Sequence, residues 1–150
     1  MLNHFYKKTC QGAVLAAFLC SGIVHADVSI SEGWLRAVPP VSPTMAGYLT
    51  VTNNGAFSVK IIGASSEVAG HTMLHSMKTL KDGTRKMGHL HHIMLEPGES
   101  FSLSPGGDHL MLMKLRRVPQ PGESVTVCLM PEEGDEICAN LPVLREAPEV

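Results

Sequence analysis

The chain has 150 residues and a formal charge of −2, with few aromatic side chains but 8 histidines and 9 methionines. The mildly acidic balance, with no basic stripe interleaved with aromatics, argues against a nucleic-acid partner. The His/Met enrichment needs a chemical explanation.

The N-terminus reads Met1-Leu2-Asn3-His4-Phe5-Tyr6-Lys7-Lys8, then runs through apolar residues from about Ala13 to Val24 and reaches Val24-His25-Ala26. A basic start, a short apolar middle and a small-residue boundary predict a secretory signal peptide over residues 1–26, cleaved after Ala26. The apolar run falls short of the roughly 20 residues that a membrane span needs. No stable membrane insertion is therefore expected after cleavage. Cys20 would invite a lipoprotein reading, but Ala17-Phe18-Leu19 fits poorly with the small residues expected before a lipidated cysteine. Residues 27–150 then make one domain of ordinary length.

From Val28 to Val38 an alternating stretch with Ile30, Trp34 and Ala37 predicts a first strand. Pro39-Pro40-Val41-Ser42-Pro43 ends it, because three prolines cannot sit in a central ladder. Gly47 to Asn53 is rich in β-branched and aromatic residues, and Asn54-Gly55 follows as a hairpin turn signal with Phe57 to Ala64 as the return strand. Pro97-Gly98, Pro105-Gly106 and Pro121-Gly122 place proline and glycine at the second and third positions of type II turns. No segment sustains a 3.6-residue period of helical length, and strands recur at short intervals. The fold class expected is all-β, a sandwich or barrel.

The last two strands, Ser124 to Met130 and Glu136 to Val143, flank Pro131-Glu132-Glu133-Gly134-Asp135. With that loop as the hairpin tip, Cys128 and Cys138 fall opposite each other. After signal removal they are the remaining cysteines, and an oxidising compartment would keep them as a disulfide staple. A free thiol pair or metal-binding thiolates are the alternatives.

The chemistry concentrates between His71 and Met113. Extended backbone sends alternate side chains to opposite faces, so His109, Met111 and Met113 share one side of a strand over 108–115. In His71-Thr72-Met73-Leu74-His75-Ser76-Met77 every histidine and methionine is at an odd position. The turn signal Lys81-Asp82-Gly83 decides what faces them. A two-residue turn would pair Lys78 with Met87 and throw Met87 to the wrong face. A three-residue loop with Gly83 left-handed would pair Met77 with Met87, His75 with His89 and Met73 with His91. The second is expected, because it gathers Met73, His75, Met77, Met87, His89 and His91 on one face and makes His75 and Met87 diagonal neighbours. Thioether sulfur with imidazole points to Cu(I), since Zn(II), Mg(II) and Ca(II) sites seldom use thioethers.

The spacing resembles that of the periplasmic copper-chaperone family of the PCuAC type. His75 is followed by Met87 twelve positions on, then by twenty-one intervening residues and His109-Leu110-Met111. Gly47-Tyr48-Leu49 through Asn53 and Pro105-Gly106-Gly107-Asp108 are also similar, so the likeness spans most of the chain after residue 26. The resemblance implies a cupredoxin-like β-barrel of Greek-key type in the periplasm, with Cu(I) held by His75, Met87, His109 and Met111. It further implies delivery to a copper-accepting protein, a cytochrome oxidase subunit or its assembly factors, by a non-enzymatic monomer. Family members can carry a methionine beside the first histidine, where this chain has Ser76, and a His/Met-rich tail, where this chain ends Arg145-Glu146-Ala147-Pro148-Glu149-Val150.

Met73, Met77, His89 and His91 are additional to the motif and form a candidate accessory metal site, with His92 beside them. Methionines on strands are more often packing than ligands, which is the plain reading for Met73, Met77, Met94, Met113 and Met130. Met45, after the proline loop, is a candidate to lie near the site but lacks a motif position. His71 and His92 read as solvated. An electron-transfer cupredoxin, a general periplasmic metal buffer and, third, a copper-dependent thiol reductase or oxidase are the other functions in view, the last with no Ser/His/Asp arrangement or closely spaced carboxylate pair to support it. The first would need a cysteine thiolate between its histidines, and neither Cys128 nor Cys138 is followed closely by His and Met.

Overall fold

The computed structural model describes residues 27–148, so the expected signal peptide over 1–26 lies outside the described residues. Among those described, ten strands form in the order β1 (Val28–Arg36), β2 (Thr44–Asn53), β3 (Val59–Ser66), β4 (Ala69–Thr79) and β5 (Arg85–His89), then β6 (Ile93–Leu95), β7 (Ser100–Leu103), β8 (His109–Leu115), β9 (Ser124–Pro131) and β10 (Ile137–Leu144). None of the described residues is helical. The hydrogen-bonded order is β5-β4-β8-β2-β1-β10-β9-β3-β6, and β4 also touches β3, through Ala64 opposite Thr72. That last contact closes the sheet into a barrel. β7 lies along β2 beyond the end of β8.

Period-two alternation sends one side of each strand into the interior. Leu35, Val51, Leu110, Leu112, Val127, Leu129 and Val143 have no exposed surface, and together with Leu49, Leu74 and Ile61 they make one continuous core. Gly47 on β2 is required by close packing rather than by backbone conformation. A β-carbon there would lie 2.8 Å from Leu35 Cδ2 and 3.3 Å from the β-carbon of Leu110. Met45 belongs to this core, 1% exposed and paired with Leu112, on the face away from the His/Met side chains.

All three Pro-Gly turns form as expected. Their glycines have φ of 78°, 79° and 92°, and the closing bonds run from Glu99 N–H to Glu96 O, Gly107 N–H to Ser104 O and Glu123 N–H to Gln120 O. β9 and β10 pair with Cys128 opposite Cys138, and the two sulfurs are bonded. The expected staple is present.

The Asn54-Gly55 hairpin is a correction. β2 pairs with β1, β7 and β8, whereas β3 pairs with β4, β6 and β9, so the chain crosses to another part of the barrel instead of turning back. Buried Asn53 organises the crossing. Its Nδ2 donates to Phe57 O at 2.8 Å and Leu95 O at 3.0 Å, and its Oδ1 accepts from Gly55 N–H at 3.0 Å. A side chain that satisfies three backbone groups of a connection replaces the ladder bonds a hairpin would supply. Met94 and Met130 sit on the outer surface, 46% and 36% exposed, at the rim and not in the core.

Candidate metal centre

The loop between β4 and β5 has the odd length the site needs. Leu80 N–H donates to Thr84 O, Asp82 Oδ1 accepts from Thr84 N–H, and Gly83 takes the left-handed φ of 84°. Lys81-Asp82-Gly83 is therefore a three-residue tip. The register beneath it pairs Met77 with Met87 and His75 with His89. On its other edge β4 pairs with β8, setting His75 opposite His109, Met73 opposite Met111 and His71 opposite Met113.

A lattice of donors results on the outer face of the barrel. His75 sits at its centre on β4, flanked by His109 and His89. Met111 on β8 and Met87 on β5 are each two positions along from those flanking histidines, so each is a diagonal neighbour of His75. Diagonal pairs in a sheet lie within reach of long side chains. The four residues of the His/Met spacing are thus brought to one patch.

The expected pairing of Met73 with His91 does not form. The ladder stops at His75–His89, with one further bond from Leu90 N–H to Leu74 O. Ile93 and Leu95 then pair with Ile61 and Val59 on β3 and are buried at 2% and 0% exposure. Burying those two side chains draws the chain away from β4 before His91 can reach Met73. His71 and His92 are exposed, as expected, and His71 Nε2 lies 3.3 Å from Lys114 Nζ.

The two central imidazoles are prepared as ligands in different ways. The His109 Nδ1 lies 2.9 Å from Gly107 O. A carbonyl only accepts, so Nδ1 carries a proton and Nε2 is the ring nitrogen left to face an ion. His75 Nδ1 is buried without a hydrogen-bond partner. Such a group costs about 1–3 kcal/mol when left unmet, and a bound cation would relieve it. Burial, followed by the neighbouring His109 and then His89, holds His75 below the usual imidazole range, which favours the uncharged form that can ligate an ion. The two rings meet edge to face with centroids 5.6 Å apart.

Exposure is graded across the patch. His109 is 9% exposed and Met87 53%, while His75 and Met111 are half-buried. Sequence reasoning gave no role to Asp108, whose Oδ1 accepts the Met77 N–H at 2.9 Å. This bond ties the entry of β8 to β4 one residue before His109. An acidic residue directly before the motif histidine was the available signal. Elsewhere, donor atoms of Cys128, Glu136 and Cys138 lie within 4.8 Å of one another, but while bonded together the sulfurs offer no thiolate.

A family model described as "Putative lipoprotein LpqE-like" matches residues 28–143. The "Putative lipoprotein Lxx21020" of Leifsonia xyli subsp. xyli (strain CTCB07) is 30% identical over 117 residues, which are 77% of this chain and 69% of that protein. The solved apo PCuAC domain from PmoF1 has a TM-score of 0.65 at 21% identity, covering 81% of this chain and 94% of that one, a likeness of fold. The solution structure of CuI-DR1885 from Deinococcus radiodurans covers 83% of each chain at 29% identity, with a TM-score of 0.59. The barrel is therefore of the cupredoxin-like PCuAC kind. The chain belongs to the LpqE-like family, of the PCuAC type that its His/Met spacing resembles.

Proposed function

We propose that the protein is an exported Cu(I) carrier that holds one ion through His75, Met87, His109 and Met111. The observation that carries the reading is the gathering of two imidazoles and two thioethers on one face of the barrel. Cu(I) prefers soft thioether and borderline imidazole to carboxylate oxygen, and the DR1885 protein, 29% identical, is described in its Cu(I) form. Titrating Cu(I) into the mature protein under anaerobic, reducing conditions tests it. One ion held per chain against a competing chelator is the expected result, and no uptake would overturn the reading.

Neutral ligands lack the grip of thiolates, so the ion can leave by exchanging one ligand at a time. The exposure gradient gives the order: Met87 yields first and His109 last. A non-enzymatic carrier needs nothing more at the site. An electron-transfer cupredoxin would need a thiolate among the ligands, whereas Cys128 and Cys138 lie bonded on β9 and β10, strands that pair with neither β4 nor β8.

The recipient is a copper-requiring protein reached outside the cytoplasm, such as the copper centre of a cytochrome oxidase. The β4–β5 hairpin beside Met87 carries Lys78, Lys81, Arg85 and Lys86 against Asp82 alone, and among the described residues none of these cations is in an ion pair. Lys78 even faces Lys86 across the strands, an arrangement that is mildly destabilising. On a chain of net negative charge, this patch fits an acidic acceptor face. Transfer from the Cu(I)-loaded protein to such an acceptor should slow by about tenfold or more between low and physiological salt, read by stopped-flow mixing. A rate indifferent to salt would remove the hairpin from the encounter.

Asp108 supplies a test of the supporting shell. Asp108→Ala removes the acceptor for Met77 N–H and loosens β8 against β4 next to His109. Cu(I) affinity should fall by about 10-fold, at the lower end of what outer-shell partners contribute, with a chelator competition as the measurement.

A further inference from the structure

The four histidines nearest the patch sort into two pairs, and only one belongs to the His/Met set. His75 meets His109, while His89 meets His91 with ring centroids 4.6 Å apart at an interplanar angle of 70°. The second pair lies where the chain leaves β5 for β6, beside a depression of about 440 Å³ whose lining includes Met77, Lys78, His89, His91, His92 and Asp108. All three of these histidines are exposed.

We propose that His89 and His91, joined by His92 from the same connection, form a second metal site for a borderline divalent cation, Cu(II) or Zn(II). His89, His91, His92 and Asp108 line one depression and together offer nitrogen and oxygen donors, which suit these ions, while the thioether-rich set beside it suits Cu(I). Asp108 and Lys78 line the same depression, and Lys78 is exposed and long enough to turn its ammonium to water. His89 and His91 are already in contact in the folded chain, so an ion has to order only the short His91-His92 connection. The proposal does not depend on the Cu(I) reading, because no residue is shared with His75, Met87, His109 and Met111.

The test uses the mature protein, Zn(II) followed by calorimetry and Cu(II) followed by electron paramagnetic resonance. Met87→Leu/Met111→Leu should keep binding of both ions within about threefold of the wild type, and the Cu(II) spectrum should show coupling to imidazole nitrogen. His91→Gln/His92→Gln should weaken both by more than about tenfold while leaving Cu(I) uptake intact. His91→Gln alone, at an exposed loop position, serves if the double variant does not fold. Absence of divalent binding in the wild type, its survival in the histidine variants, or its loss with the two methionines would each overturn the second site.

Discussion

Replacing Met87 and Met111 together with leucine should weaken Cu(I) binding by about 100-fold or more, because a two-imidazole remnant offers no soft sulfur. Leucine conserves volume and tolerates both environments, so the barrel should keep its stability within about 1.5 kcal/mol. The two single variants should differ in kinetics. Met87 is 53% exposed and stands at the mouth of the site, so Met87→Leu should act mainly on the rates of loading and release. Met111 is half-buried beside Ala46 and Met73, so Met111→Leu should act mainly on retention. Chelator competition and stopped-flow exchange read both, and unchanged affinity in the double variant would exclude thioether ligation.

The second large effect belongs to the fold behind the site. Leu110 lies between His109 and Met111 in sequence but points the other way, into the core with no exposed surface, against Gly47 and opposite Leu74. Leu110→Ala should cost about 2–5 kcal/mol, the range for a buried leucine that leaves a cavity its neighbours cannot fill. Gly47 has no side chain to move into the gap, which favours the upper part of that range. Urea denaturation of the apo protein measures it, with the midpoint falling and the slope unchanged. A loss under about 1 kcal/mol would mean that this part of the barrel relaxes more freely than its close contacts indicate.

Much of this arrangement was legible because local chemistry and global pairing agree at the positions that matter. Gly83 can adopt the left-handed φ that a three-residue tip requires, and the resulting register is the one that puts Met87 on the face of His75. Proline fixes φ ahead of glycine in three turns, and each closes as that chemistry dictates. The Cys128–Cys138 pairing followed from the five-residue loop between the last two strands, together with these being the cysteines that remain after residue 26. Asn54-Gly55 misled because turn propensity is local, while the bonds that settle the connection come from buried Asn53 to Leu95, far away in sequence. The His91 pairing failed for a similar reason: Ile93 and Leu95 gain more by entering the core on β3 than His91 gains by continuing along β4. Methionine gave the weakest signal, since one side chain type serves as core filler at Met45, as exposed surface at Met94 and Met130, and as candidate ligand at Met87 and Met111.

The most direct test of the Cu(I) site is X-ray absorption on the Cu(I)-loaded mature protein, which counts sulfur against nitrogen around the ion. Two sulfur and two imidazole nitrogen scatterers are expected, falling to nitrogen alone in Met87→Leu/Met111→Leu. A wild-type spectrum with no sulfur in the first coordination sphere would contradict the assignment of His75, Met87, His109 and Met111 as the ligands.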